Sequence, residues 1–157
     1  MTATIPKARL TDHPALLIAG FREYFSDPNA IPAQWQRLAP YLGSIPGQVG
    51  RAAYGVCFQD DTGLDYLSGV EVDDVHSLPS DFQFVEIPAQ RYAVFLHEGH
   101  VSQLYDTLCN IWNEWLPASG NKHSRPNHGG TAFFERYGEG FDPLTGRGDM
   151  QVWIPIE

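Results

Sequence analysis

The segment TAFFERY, from Thr131 to Tyr137, predicts a β-strand at the centre of this chain. Because side chains alternate along a strand, Phe133, Glu135 and Tyr137 are expected on one face. A carboxylate between two aromatic rings suits a bulky, partly apolar cation, since charge attraction and cation–π contact act together where water is scarce. A strand glutamate more often faces solvent. The interpretation of Glu135 as a ligand residue therefore depends on the rest of the chain.

Composition limits the classes of protein to which the chain can belong. Its 157 residues, 43% of them hydrophobic, predict one domain that is large enough to bury a core. Acidic residues outnumber basic ones by 19 to 10, which argues against direct nucleic-acid binding and favours a cation as any charged ligand. There is no apolar run of membrane-spanning or signal-peptide length. We therefore expect a cytoplasmic protein with no membrane partner.

Hydrophobic periodicity predicts two similar series of strands and helices. A loop is expected over Arg22–Asn29, and Asn29 is the expected cap of the first helix. Pro40 is expected to bend that helix or end it early. The predicted strands are Ala15–Ala19, Ala52–Phe58, Leu64–Val72, Phe82–Ile87, Arg91–His97, Thr131–Tyr137 and Met150–Ile156, and the predicted helices begin at Ile31 and at Val101.

The two series indicate an internal duplication, with repeats at about residues 14–74 and 82–157. Repeats of this length suit tandem β-α-β-β units, which predicts an α+β fold with two helices and antiparallel sheets. Pockets form preferentially where such units meet, so a ligand groove is expected between the halves.

Alignment of the two halves groups further residues with Glu135. Tyr54 falls opposite Glu135 to within one residue, and alternation leaves Glu71 and Trp153 on the face away from the helices. These three side chains are expected to join Glu135 around one groove. A core tryptophan is an equal alternative for Trp153, and a solvated strand residue is an alternative for Glu71. The apolar residues expected beneath the helices are Val70, Val72, Val152, Ile154 and Ile156.

Other short motifs carry weaker signals. In the sequence HEGH, His97 and His100 are three residues apart rather than the four of the helical zinc motif, so no metal site is predicted, although His97 is kept as a ligand-binding residue. The triplet at Asp61 predicts a turn. Cys57 and Cys109 have no metal-ligand spacing, which favours small buried thiols in a reducing compartment and leaves a disulfide as the alternative. No cofactor fingerprint is present, and no cofactor is expected.

Several segments, taken together, resemble the GyrI-like small-molecule-binding domains, which also occur as effector-binding domains of AraC-type and MerR-type multidrug regulators. The resemblance runs from Ala15 to the C-terminus. It rests on YGV at Tyr54, GVEV at Gly69, IPAQRYAVF at Ile87, IWNEWLPASG at Ile111, FERY at Phe134, FDP at Phe141 and VWIPI at Val152.

This resemblance implies the duplicated fold and gives Glu135 the role of the family's central acid, which in related regulators contacts lipophilic cationic drugs. Some stand-alone relatives hydrolyse strained cyclopropane-containing electrophiles, and others bind DNA gyrase. No DNA-binding domain precedes the first predicted strand, so any transcriptional role is expected to need a separate regulator.

The leading hypothesis is a binding pocket for an aromatic or cationic small molecule. Glu135 is its expected counter-charge, and its expected walls are Tyr54, Phe133, Tyr137 and Trp153. The first alternative is a hydrolase in which burial raises the pKa of Glu135, with Tyr54 or Glu71 as partner. The second is an inhibitor of DNA gyrase that acts through its acidic surface.

Overall fold

The computed structural model describes residues 8–27, 30–60, 63–124, 132–142 and 144–157. All strands within these residues pair antiparallel. They are β1 Ala8–His13, β2 Leu16–Phe25, β3 Gln48–Asp60, β4 Gly63–Val72, β5 Gln83–Ile87, β6 Gln90–His97, β7 Phe133–Tyr137 and β8 Met150–Ile156.

Two helical regions interrupt the strands. The first is α1, Ile31–Leu38, extended by the 3₁₀ turn Ala39–Tyr41. The second begins with a 3₁₀ turn and ends at Gly120, whose φ of 77° lies in the left-handed region that favours glycine. Its parts are Val101–Gln103 (3₁₀), α2 Leu104–Asn110, the π-helical turn Ile111–Trp115 and α3 Leu116–Ser119.

The strands form one continuous sheet in the order β1-β6-β8-β7-β3-β4-β2-β5. The series β1-β2-α1-β3-β4 is followed along the chain by the equivalent series β5-β6-α2-β7-β8. The fold is therefore α+β, as the sequence predicts, with one sheet that is shared by both series.

Both helical regions cover the same face of the sheet. Leu38 of α1 packs in one apolar cluster with Val70 and Val72, while Leu104 of α2 packs in another with Val152. The apolar residues predicted to lie beneath the helices do so. Because β7 and β3 stand between β8 and β4 in the sheet, the two helical regions flank the central strands of this helix face.

The opposite face is covered by the sheet itself. Its cluster contains side chains with no exposed surface, such as Leu67, Ile87 and Tyr92. The connections at residues 14–15 and 88–89 each join strands from opposite ends of the strand order, so the two ends must approach each other. That cluster accordingly contains both Ile87, from β5 at one end, and Tyr92, from β6 near the other. We call this curled surface the inner face.

The structure departs from the sequence prediction near the N-terminus. Strand β1 was not predicted, and β2 continues through Gly20 to Phe25, where a loop was expected. Gly20 lies inside the strand, where it pairs with Gly69 of β4. The position needs a glycine because a Cβ there would lie 2.6 Å from the Gly69 Cα. Pairing with β4 overrides the local turn signal.

Three smaller predictions have different outcomes. Helix α1 ends at Leu38, before Pro40, as predicted. Cys57 and Cys109 are both free thiols. The predicted cap Asn29 and the turn residues Asp61 and Thr62 lie outside the described part of the chain.

None of the described helices has the length and apolar character needed to cross a bilayer.

Candidate functional site

Glu135 lies on the helix face, between the two helical regions. In the sheet it pairs with Val152 on one side and with Gly55 on the other. Directly paired residues point to the same face, and Val152 lies beneath the second helical region. The carboxylate is buried, with 9% of the residue exposed.

Two tyrosine hydroxyls hold one oxygen of this carboxylate. Tyr66 donates to Oε1 of Glu135 at 2.7 Å, and Tyr137 donates to the same atom at 3.1 Å. The indole Nε1 of Trp35, on α1, donates to the Tyr66 hydroxyl at 3.2 Å. The Tyr66 hydroxyl accepts from the indole nitrogen, which can only donate, and gives its own proton to Glu135. The hydrogen bonds therefore run in one direction, from Trp35 through Tyr66 to the acid.

Neither hydroxyl contact reaches the second oxygen of Glu135, and no residue in the described part of the chain donates a hydrogen bond to Oε2. Among the described residues, every side-chain nitrogen or oxygen atom that is sealed from solvent has a hydrogen-bond partner. Oε2 is therefore the oxygen that the described donors leave to a ligand.

Aromatic rings surround the acid. The Trp35 ring lies 5.4 Å from Tyr137 and 6.4 Å from Tyr66, in both cases edge to face. On the other side, Phe133 lies 6.3 Å from Trp112 of the π-helical turn. All of these rings except Tyr66 are only half-buried. We call Trp35, Tyr66, Phe133, Glu135 and Tyr137 the Glu135 site.

The charge of Glu135 has no partner of opposite sign in the described part of the chain. None of the ion pairs there includes it. Burial raises the pKa of Glu135, and the hydroxyls of Tyr66 and Tyr137 oppose that rise by donating to the charged form. Burial and the nearby acid raise the pKa of Tyr66, Tyr137 and Cys57 well above their usual range. Burial therefore makes the charged form of Glu135 costly in free energy, and only two neutral hydroxyls among the described residues stabilise it.

The structure brings together only some of the residues grouped from the sequence. Phe133, Glu135 and Tyr137 share a face, as predicted. Tyr54 pairs with Arg136, one residue from the predicted partner, and that single step moves it to the inner face. The expected common groove of Tyr54, Glu71, Trp153 and Glu135 is therefore wrong.

The side chains on the inner face have other contacts. Trp153 stacks on Phe134 at 5.4 Å with an interplanar angle of 16°, and its Nε1 donates to Gln151. Burial raises the pKa of Tyr54, Arg136 beside it lowers that pKa, and Glu71 raises it. Trp153 is thus a core tryptophan, the alternative that the sequence left open.

His97 also lies away from the acid. Its Nδ1 is 2.8 Å from the Thr107 hydroxyl, and its Nε2 is 2.9 Å from the carbonyl oxygen of His100. The ring is buried. Because a carbonyl can only accept, Nε2 carries the proton and Nδ1 accepts from Thr107. His97 connects β6 to α2 and does not contact Glu135.

Two residues of the site were missed in the sequence. Tyr66 is in phase with Val70 and Val72, which were assigned to the helix side, so alternation along β4 already indicated its face. Trp35 follows the apolar spacing of α1, which indicates only the face of the helix on which it lies. Its position above Tyr66 depends on how α1 is docked, which periodicity does not specify.

Comparison with known proteins identifies relatives of the whole described fold. The sequence profile of the GyrI-like small molecule binding domain matches residues 6–157. The chain is 31% identical over 153 residues to the transcriptional regulator BrlR of Pseudomonas aeruginosa, and the match covers 95% of this chain. It spans about half of that relative, 55% of its length.

Two solved structures show the same fold at low sequence identity. SAV2435 bound to tetraphenylphosphonium has a TM-score of 0.73 at 18% identity, with 96% of this chain and 94% of that chain covered. EcmrR in a complex with DNA has a TM-score of 0.71 at 16% identity, with 98% and 58% covered.

Proposed function

Because this chain belongs to the GyrI-like small-molecule-binding domains, we propose that it binds an aromatic, lipophilic cation in the Glu135 site. The observation that carries the proposal is the buried carboxylate, which has no ion-pair partner in the described part of the chain. A buried charge without a partner is costly, and a bound cation removes that cost. Glu135 is the proposed counter-charge.

The shape of the site favours a bulky cation over a compact one. Oε1 already accepts two hydrogen bonds, so Oε2 is the oxygen that is left to face a ligand. The half-buried rings of Trp35, Phe133 and Tyr137 offer apolar contact and cation–π attraction. A cation with aromatic substituents uses both kinds of contact, whereas a compact ammonium ion would lose its hydration shell and find few hydrogen-bond acceptors to replace it.

The experiment compares two ligands and two proteins. Tetraphenylphosphonium is the cationic probe, a choice supported by its presence in the SAV2435 structure, and triphenylphosphine oxide is a neutral aryl phosphorus compound. The proteins are the unaltered chain and Glu135→Gln, which keeps the shape of the side chain and one acceptor oxygen but removes the charge. We expect the substitution to weaken binding of the cation and to leave binding of the neutral compound unchanged. Equal affinity of both proteins for the cation would overturn the proposal.

The same geometry supports a hydrolase as the second candidate. A carboxyl group with a raised pKa keeps its proton to higher pH than an ordinary carboxyl group, which suits a proton donor. Hydrolytic opening of a cyclopropane electrophile adds water across the strained carbon–carbon bond, with oxygen going to one carbon and a proton to the other. Glu135 would supply that proton, with Tyr66 and Tyr137 positioning it in place of the predicted Tyr54. A product heavier by one water, formed by the unaltered chain and not by Glu135→Gln, would support this candidate.

Two protein partners stay predictions from the resemblance. A DNA-binding regulator is supported by the match to about half of BrlR, and co-purification with a regulator that carries such a domain would test it. DNA gyrase is supported only by the acidic balance of the chain. A supercoiling assay that is unaffected by stoichiometric protein would exclude inhibition of gyrase.

A further inference from the structure

Tyr66 and Glu135 are hydrogen-bonded although their strands are not neighbours. Tyr66 belongs to β4 and Glu135 to β7, and β3 runs between them. Adjacent strands are about 4.8 Å apart, so the two backbones are separated by about 10 Å. The phenol of Tyr66 must therefore pass over β3 to reach the carboxylate at 2.7 Å.

The residue of β3 at the crossing is Gly55. It pairs with Ser68 of β4 on one side and with Glu135 of β7 on the other. A Cβ added to Gly55 would lie 2.7 Å from Cζ of Tyr66, closer still to its hydroxyl oxygen, and 2.5 Å from Oε1 of Glu135. These distances are shorter than real Cβ contacts. A side chain at position 55 would therefore displace the Tyr66 phenol, the Glu135 carboxylate or both from the observed arrangement.

We propose that Gly55 is a positioning residue of the Glu135 site, whose missing side chain leaves the gap in β3 through which Tyr66 reaches Glu135. Glycine inside a strand lowers stability and often marks a place where another group approaches closely. At Gly20 and Gly69 the approaching group is backbone of the paired strand. At Gly55 it is the pair of side chains that forms the hydrogen bond of the site, which distinguishes this glycine from the other two.

The first test needs no ligand and is therefore independent of the proposed function. Thermal unfolding is measured for the unaltered chain, Gly55→Ala, Tyr66→Leu and the double variant, in trimethylamine N-oxide so that weakened chains stay folded. Leucine is too short to cross β3. We expect Gly55→Ala to lower Tm by several degrees in the Tyr66 chain and by clearly less in the Tyr66→Leu chain. Equal decreases of Tm in both backgrounds would overturn the proposal. If Gly55→Ala is unfolded in the Tyr66 chain but folded in the Tyr66→Leu chain, that outcome would support it.

The second test rests on the proposed function and asks whether Gly55 acts through the hydrogen bond. Binding of tetraphenylphosphonium is measured across pH. Gly55→Ala and Tyr66→Phe should both weaken binding roughly tenfold near neutral pH, as expected for loss of one hydrogen bond to a charged group. Both should move the midpoint of the pH dependence upward, because each removes a donor that favours ionised Glu135. The double variant should show no further shift.

Gly69→Ala is the matched control for a methyl group added to this sheet. Its Cβ would point to the inner face and lie 2.7 Å from the carbonyl carbon of Ala19. It should therefore lower Tm without moving the pH midpoint. A midpoint shift in Gly69→Ala as large as that in Gly55→Ala would show a general loss of packing and contradict the positioning role. If neither the unaltered chain nor any variant binds the cation, but the unfolding tests give the expected result, the proposed ligand is wrong and the positioning role of Gly55 stands.

Discussion

Tyr66 donates a 2.7 Å hydrogen bond to Oε1 of Glu135 across 69 positions of sequence, and the contact joins the first series of elements to the second. The hydroxyl of Tyr66 also accepts from Trp35, so α1 is tied to the acid through the same atom. The buried charge of β7 is thus held by groups from both halves of the molecule. The predictions below test what each of these groups contributes.

Tyr137 should tune the charge of Glu135. The change Tyr137→Phe removes one of the two hydroxyl donors, so the pKa of Glu135 should rise further and the cation should bind about 3-fold to 10-fold more weakly at neutral pH. Titration calorimetry with tetraphenylphosphonium measures the effect. Tyr54→Phe is the matched control, because Tyr54 lies on the inner face. A larger effect from Tyr54→Phe would restore the grouping predicted from the sequence.

Ligand-free stability should depend on pH through Glu135. Burial raises the folded-state pKa above the unfolded value of about 4.3, so protonated Glu135 favours the folded state. That contribution is complete below the unfolded pKa and is lost as the pH rises through the folded pKa. Glu135→Gln carries no charge at any pH. Denaturant unfolding should therefore show Glu135→Gln gaining stability relative to the unaltered chain as pH rises through this interval, and a constant difference would contradict the assignment.

Trp35 should contribute ring contact with a ligand in addition to its packing against the core. Replacing it in Trp35→Leu removes a half-buried ring and the donor to Tyr66, so aromatic cations should bind several-fold more weakly, in line with about 0.5–1.5 kcal/mol for an aromatic contact. Trp153→Leu serves as the comparison, since Trp153 is buried on the inner face. It should lower Tm and spare the affinity. The opposite ranking in a binding titration would remove Trp35 from the site.

His97 should matter for stability and not for ligand binding. In His97→Leu the Thr107 hydroxyl and the His100 carbonyl each lose a partner, which should cost about 1–3 kcal/mol of unfolding free energy. Thr107→Val removes one of the same hydrogen bonds and should cost less. Chemical denaturation and a cation titration of both variants provide the measurements. Loss of cation affinity in His97→Leu with Thr107→Val unaffected would place His97 in the site after all.

The sequence predicted which residues of one strand lie together in the site, but not which residues of different strands do. Period-two alternation placed Phe133, Glu135 and Tyr137 together because that relation is local to one strand. It did not specify which face of β7 meets the helices. That choice depends on the pairing of Glu135 with Val152 and Gly55, which is set by contacts between distant segments.

A single residue of register explains why Gly55 was overlooked. The sequence placed Tyr54 opposite Glu135 to within one residue, and Gly55, the next residue, holds that position. A shift of one residue moves every side chain of a strand to the other face, so Tyr54 was grouped with the acid and Gly55 was overlooked. The prediction of the fold was not affected by this error, because the order of elements and the apolar face of β8 follow from local periodicity alone.

The most direct measurement is the affinity of tetraphenylphosphonium for the unaltered chain and for Glu135→Gln across a pH series. The charge of this cation does not change with pH, so any pH dependence belongs to the protein. We predict that the unaltered chain binds more tightly as the pH rises through the raised pKa of Glu135, and that Glu135→Gln binds at least about tenfold more weakly at neutral pH with a flat profile. Parallel profiles of equal affinity would contradict the role of Glu135 as the counter-charge.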